Sequence, residues 1–163
     1  MRHRLVERAG RFWGAATGPN PTDRAKAGTK HHVLTDRGGV PLAATVSAAN
    51  AHDVRGLLPT VAACPLPGYG GPSLRPRQLL GDRAYRSAAH EGVLRWLGIR
   101  PRFARPGVPH GSGLGKHRWV VERTIAHLHQ NRRLKVRYER RADIHQGFLT
   151  LACVRLCWLR LKR

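Results

Sequence analysis

The sequence predicts a mixed α/β domain, and three patterns carry that prediction. A β-hairpin signal stands near the start, where His31-His32-Val33-Leu34-Thr35 and Val40 to Ser47 flank the turn residues Asp36-Arg37-Gly38-Gly39. Two short apolar stretches, Gln78-Leu79-Leu80-Gly81 and Ile99 to Ala104, then alternate with segments of helical period. Two longer helical segments close the chain. The order strand-strand-helix-strand-helix-strand-helix-helix fits a ribonuclease-H-like mixed sheet with flanking helices, from which the first strand is expected to be missing.

Taken in order, residues Met1 to Ala27 are basic, dotted with glycine and without clear period, and Gly18-Pro19-Asn20-Pro21 is a turn signal. The expected division is an atypical basic leader over 1–17 and a partial domain over 18–163. After the hairpin, Asp53 is expected to cap a helix from Val54 to Ala62, since a carboxylate there satisfies orphan N–H groups. Pro65 to Pro76 reads as a loop. Asp82 follows the strand Gln78 to Gly81, and Ser87 to Leu97 reads as a helix closed by Gly98. Pro101 places the next strand at a sheet edge, because proline cannot donate to a ladder. A glycine-rich loop over Pro106 to Gly115 precedes a helix from Lys116 to about Arg133, with Trp119, Val121, Ile125 and Leu128 as its apolar stripe. Asp143 is expected to cap the last helix, Ile144 to Leu161.

Charge narrows the class of function. Thirty Lys and Arg face nine Asp and Glu, a net charge of +21 over 163 residues. Such an excess strains a compact fold unless a polyanion neutralises it, and nucleic-acid phosphate is the usual one. Apolar runs are too short and too broken by Arg to span a bilayer, and no apolar block follows the charged start, so neither a membrane segment nor a signal peptide is expected. Three cysteines make no disulfide framework; Cys153 and Cys157 share a helical face with Leu149, Leu156 and Trp158 around them, which reads as reduced core thiols. His31 and His32 are neighbours on a strand, point to opposite faces and do not share a metal. A cytoplasmic, nucleoid-associated protein is the expectation.

With so few acids, each candidate for metal chemistry is separable. Glu7 and Asp23 lie in the leader, Asp36 in a turn, Glu91 on an exposed helix face and Glu139 among arginines. Asp82 and Glu122 remain. Asp82 ends a short apolar strand, where α/β folds place ligand-binding groups. Glu122 lies mid-helix among apolar residues, and is either paired with Arg118 four residues earlier or coordinates a cation. Two carboxylates on a strand and a nearby helix can hold one Mg²⁺, with phosphate oxygens and water completing its shell. A two-metal site for phosphoryl transfer wants a third.

Asp82-Arg83-Ala84-Tyr85 resembles the motif around the second catalytic Asp of DDE-type insertion-sequence transposases, and Arg118 with Glu122 resembles the Arg-x-x-x-Glu core of their third motif. Also similar are Gly18-Pro19-Asn20-Pro21-Thr22-Asp23-Arg24, Lys30-His31-His32, Asn50-His52-Asp53, the loop Val108 to Gly113 and Arg140-Arg141-Ala142-Asp143-Ile144-His145. The likeness runs from about Gly18 to Leu161 and is closest to the insertion-sequence-five group.

The resemblance implies a ribonuclease-H-like fold and metal-dependent cleavage and joining of DNA at transposon ends. It implies Mg²⁺, with Mn²⁺ as a substitute and two ions in an intact member. Asp82 and Glu122 become the catalytic metal ligands, Arg118 holds Glu122 or a phosphate, and Tyr85 supports the site or the DNA. The partners implied are DNA, at transposon ends and target, and further copies of the chain. Departures from the family are as informative. Its first Asp falls near Arg4 when the pattern is counted back, and no Asp precedes Asp23. Gly115 and His129 replace a Tyr and a Lys of the longer third motif. Loss of one metal ligand implies a chain that lacks activity on its own. The basic run offers Arg132, Arg133, Lys135, Arg137, Arg140 and Arg141, with Lys116, as phosphate contacts and Tyr138 as a base-stacking ring. The competing expectation is a non-catalytic basic DNA- or RNA-binding protein.

Overall fold

The computed structural model describes residues 2–9, 13–64, 76–104 and 115–162, with backbone alone for 2–9 and 115–118. Six strands form one sheet: β1 Arg2–Ala9, β2 Gly18–Pro19, β3 Ala27–Thr35, β4 Pro41–Ala48, β5 Gln78–Gly81 and β6 Arg100–Phe103. Strand β1 lies between β3, which it pairs antiparallel, and β5, which it pairs parallel. Strand β4 pairs antiparallel with β3, and β6 pairs parallel with β5 at the edge. The spatial order β4-β3-β1-β5-β6 is that of a ribonuclease-H-like sheet.

Strand β1 corrects one expectation. The first strand is present, formed by residues that carry no visible period. A central strand takes backbone hydrogen bonds from both neighbours and needs no alternation of its own to be held. Its partner β3 is buried along its whole length. The hairpin between β3 and β4 forms as expected: Asp36 Oδ1 accepts from Val40 N at 2.8 Å, and Gly39 takes the positive φ of 88° that the turn requires.

Two helical layers cover the sheet. On one face α1 (Leu57–Ala62) and α2 (Ala88–Trp96) pack on Leu34, Ala43, Leu79, Ile99 and Phe103. On the other, α3 (Gly115–Leu128), α4 (Arg132–Lys135) and α5 (Ala142–Leu161) close over Val33 through Val121, Ile125, Leu134, Leu149 and Leu156. The expected helix over 116–133 is thus two, because Asn131 turns back and donates from Nδ2 to the Leu128 carbonyl at 2.8 Å. Trp119 leaves the expected stripe and lies half exposed, with the Arg123 guanidinium 4.6 Å over its ring. Glycine at 98 closes α2 with φ 76°.

Neither expected carboxylate cap is a cap. The segment after β4 is a 3-10 turn, Asp53–Gly56, that runs into α1 without a side-chain cap. Asp143 stands in the first turn of α5 and pairs with Arg141 at 2.6 Å. Glu91 is half buried between Arg86 and Arg95 rather than exposed. Cys153 and Cys157 are free thiols on the inner side of α5, and burial pushes the Cys153 thiol up to about 12. Trp158 points away from them into solvent. The segments 65–75 and 105–114, expected as loops, lie outside the described residues.

A buried chain of imidazoles fastens α3 and α5 to the sheet. His31 Nδ1 is 3.3 Å from His129 Nε2, and His31 Nε2 is 2.8 Å from His145 Nε2. His145 Nδ1 in turn lies 3.2 Å from Glu139 Oε2. The anionic carboxylate assigns the direction: His145 donates to Glu139, His31 donates to His145, and His129 donates to His31. Burial lowers the pKa of His145, the Arg137 charge lowers it further, and Glu139 offsets part of this. Burial alone would raise Glu139, but backbone donors, the His145 bond and Arg133 at 2.7 Å outweigh it and hold the carboxyl below its usual range.

Candidate active site at the end of strand β5

Asp82 stands directly beyond β5, half buried, at the start of the 3-10 turn Arg83–Tyr85. Its Oδ1 accepts from Arg83 N at 2.7 Å, which fixes the carboxylate at the strand end. Tyr85 anchors the same turn: its ring is 1% exposed within the core beside Leu79 and Phe103. Burial, reinforced by the negative charges of Asp53 and Asp82, keeps the Tyr85 hydroxyl protonated far above the ordinary phenol range. It acts here as a neutral hydrogen-bonding group and a peg for the turn that carries Asp82.

Behind Tyr85 lies a polar cluster that sequence reasoning did not assemble. The Tyr85 hydroxyl is 3.4 Å from His32 Nδ1, and His32 Nε2 shares a 2.8 Å hydrogen bond with Ser47 Oγ. Burial lowers His32 to about 4, with Asp53 opposing and Lys30 adding to the shift, so the ring is neutral near pH 7. Gly56 leaves room for it, since a Cβ there would fall within 2.2 Å of the ring. Two residues back on the same strand face, buried Lys30 donates to Asp53 Oδ1 at 2.5 Å and to the Ala51 carbonyl at 2.8 Å. The available signal was the i, i+2 spacing of Lys30 and His32, which brings both to one face of a strand. His31 turns to the opposite face, as expected.

Glu122, although flanked by apolar residues in sequence, lies on the exposed side of α3. Its neighbours Val121 and Ile125 face the core, so the carboxylate is directed outward. Helix α3 packs on β1, and β1 pairs with β5, so Asp82 and Glu122 stand on elements either side of the same strand. The side chains of Lys116 and Arg118, and with them the expected Arg118–Glu122 pair, lie outside the described residues. Among the described residues no three His, Cys, Asp or Glu side chains gather as a metal-binding group.

The register of β1 gives the site its most informative feature. Arg2 pairs with Leu80 and His3 with Gly81. One step further along these two parallel strands stand Arg4 and Asp82. The family pattern puts the first Asp of a DDE site near this point, and the residue that follows His3 is an arginine.

Of the basic run, Arg132, Lys135, Arg140 and Arg141 are exposed, and Arg133 is exposed while paired with Glu139. Arg137 corrects the expectation: it is 1% exposed and contacts protein, not solvent. Its Nε donates to the Glu139 carbonyl at 2.7 Å, Nη1 to Thr29 Oγ1 at 2.7 Å and the Ala16 carbonyl at 3.1 Å, and Nη2 to the Ala15 carbonyl at 2.6 Å and the Arg140 carbonyl at 3.3 Å. A guanidinium committed to that many internal acceptors is a structural clamp. Among the described residues no helix is long and apolar enough to cross a membrane.

Residues 5–157 match the transposase DDE domain family. The chain is 54% identical over 156 residues to the putative transposase for insertion sequence element IS402 of Burkholderia cepacia, covering 94% of this chain and 74% of that protein. Among solved structures it is similar to a chain of the simian T-cell lymphotropic virus intasome in complex with the PP2A regulatory subunit B56 gamma, with a TM-score of 0.54 at 18% identity, over 93% of this chain and 45% of that one. The catalytic core domain of BIV integrase aligns over 94% of this chain and 80% of its own with a TM-score of 0.49 at 14% identity. The likeness to the intasome chain shows the fold, and the sequence matches establish the family: the chain belongs to the DDE transposases.

Proposed function

We propose that the site at the end of β5 is a DDE centre built for metal-dependent cleavage and joining of DNA at insertion-sequence ends, and that in this chain it binds DNA without cutting it. The observation that carries the reading is the register of β1, in which His3 pairs with Gly81, so that Arg4 and Asp82 are the residues that follow on the two chains. Asp82 and Glu122 are the metal ligands; both are hard oxygen donors, one fixed at a strand end and one facing outward from a helix. That donor set suits a single Mg²⁺ or Mn²⁺ better than a pair. When bound, the metal supplies charge neutralisation at the scissile phosphate. Tyr85 holds the turn of Asp82, and Arg118 holds Glu122 or a phosphate. A cation in place of the third carboxylate removes a ligand and repels the metal, so cleavage is lost while phosphate attraction grows.

Binding rests on the net charge and on Lys116, Arg132, Arg133, Lys135, Arg140 and Arg141, which contact backbone phosphate and give little sequence preference. The substrate is DNA in the nucleoid. The test is retention of duplex DNA of unrelated sequences in a gel-shift series, alongside incubation of supercoiled plasmid with Mg²⁺. The reading expects similar affinity for each duplex, a steep loss with salt and no nicking. Strong preference for RNA over DNA, or Mg²⁺-dependent nicking by the unaltered chain, contradicts it.

A further inference from the structure

His31 and His32 are neighbours on the buried strand β3, each 1% exposed, and successive residues of a strand face opposite ways. Each imidazole therefore opens onto one of the two helical layers. A buried neutral ring with its hydrogen bonds made adds little net stability over an apolar side chain of its size; what it adds is fixed geometry.

His32 faces the turn that carries Asp82. Its Nε2 lies 2.8 Å from Ser47 Oγ and its Nδ1 3.4 Å from the Tyr85 hydroxyl. Tyr85 N in turn donates to the Asp82 carbonyl at 3.2 Å, so the residue that His32 bonds is tied to the residue that bears the carboxylate. Lys30 adds support from the same face of β3. It holds Asp53 and the Ala51 carbonyl, and the turn Asp53–Gly56 packs on the turn Arg83–Tyr85.

His31 faces the helix that carries Glu122. Its Nδ1 meets His129 Nε2 at 3.3 Å, and its Nε2 meets His145 Nε2 at 2.8 Å. His129 still belongs to the last turn of α3, since its N donates to the Ile125 carbonyl at 2.9 Å. Glu122 stands two turns earlier, about 10 Å along the axis and within about 20° of the same azimuth on an α-helix. Fixing His129 against β3 therefore fixes the rotation of α3, and with it the direction in which Glu122 leaves the helix.

We propose that His31 and His32 are the positioning residues of the DDE site, one for each carboxylate: His32 acts through Tyr85 on Asp82, and His31 acts through His129 on Glu122. The two carboxylates stand on different elements, and adjacent residues of one strand brace both. The inference rests on the reading of Asp82 and Glu122 as metal ligands.

Mn²⁺ affinity of the intact chain, read from the EPR signal of the free ion without DNA, tests it. His32→Leu and His31→Leu should each weaken Mn²⁺ binding about tenfold, the low end of what partners behind a metal ligand contribute. The two losses should follow different carboxylates. In Asp82→Asn, His32→Leu should cost nothing further while His31→Leu keeps its loss; in Glu122→Gln the pattern should reverse. Affinities are compared at equal folded fraction, set by urea unfolding. Should a leucine variant not fold, Tyr85→Phe and His129→Gln, which leave β3 unaltered, carry the same comparisons. Losses that are equal in every background, or absent while Asp82→Asn and Glu122→Gln both weaken binding, overturn the positioning roles and leave the site assignment standing. Mn²⁺ binding that neither Asp82→Asn nor Glu122→Gln weakens overturns the site assignment and this inference with it.

Discussion

Replacing Arg137 with methionine keeps most of the apolar stem and removes the guanidinium, so it isolates what the clamp contributes. The five bonds are not equal losses. The Ala16 carbonyl also accepts from Thr29 Oγ1 at 3.0 Å, and the Arg140 carbonyl from Ala15 N at 2.9 Å, so those two keep a donor. The loss falls on the carbonyls of Ala15 and Glu139, joined to Arg137 at 2.6 and 2.7 Å. Leaving a fully buried acceptor unsatisfied costs roughly 1–3 kcal/mol. Both of these bonds are part-buried and Ala15 is exposed, so water replaces part of each. Removing a desolvated cation returns a little more, which leaves a net destabilisation of about 2 kcal/mol. For a domain whose total stability is on the order of 5–15 kcal/mol, that is a large fraction. With a urea slope of about 2 kcal/mol/M, the unfolding midpoint read by tryptophan fluorescence should fall by about 1 M. DNA affinity measured on the folded variant should change little. An unchanged midpoint together with a loss of DNA affinity as large as that of Arg140→Gln would refute the structural role and return Arg137 to the DNA surface.

Acid should loosen the fold before it protonates most carboxylates. His32 is lowered to about 4 in the folded state, so the unfolded chain binds a proton first; the stability this ring contributes is whole above about pH 6.5 and falls as pH drops toward 4. At up to 1.4 kcal/mol per pH unit the loss is about 3 kcal/mol, and lowered His145 adds to it with the same sign. Glu139, held low, loses its contribution further down as pH passes its folded value. Urea midpoints between pH 7 and 4 should show this slope, and His32→Asn should flatten it; a slope equal in the variant would assign it elsewhere. Arg132→Gln, Lys135→Gln and Arg140→Gln should each weaken DNA binding evenly across sequences and lower the salt slope by about one unit, with the urea midpoint unmoved. A sequence-dependent loss would mean that these side chains read bases.

What could be read from the sequence was what local rules decide. The hairpin showed because Asp36 and Gly39 are needed where they stand, and Gly98 showed because a helix end there takes a positive φ. Asp82 showed because an apolar strand ended in a charge. Strand β1 did not, since a strand paired on both sides is held by backbone bonds that leave no period in the sequence. Asp53 read as a cap because its partner, Lys30, is 23 residues away and nothing nearby competes with capping. Arg137 was hidden among neighbours of the same charge. Its burial depends on the carbonyls of Ala15 and Ala16, more than 120 residues distant. The apolar flanks of Glu122 do not show which way it faces, since a helix can bury Val121 and Ile125 while turning Glu122 outward.

The central claim is that this DDE site lacks one carboxylate at the position of Arg4. Supercoiled-plasmid nicking by the Arg4→Asp chain in Mg²⁺ tests it most directly, with the unaltered chain, and Arg4→Asp combined with Asp82→Asn or with Glu122→Gln, as comparisons. The account predicts Mg²⁺-dependent nicking by Arg4→Asp alone, absent from the other three and abolished by chelation. Nicking that persists when Asp82 or Glu122 is replaced would contradict the assignment of the site, and an Arg4→Asp chain that folds, binds DNA and Mg²⁺ and never cuts would contradict the claim that Arg4 stands where the missing ligand belongs.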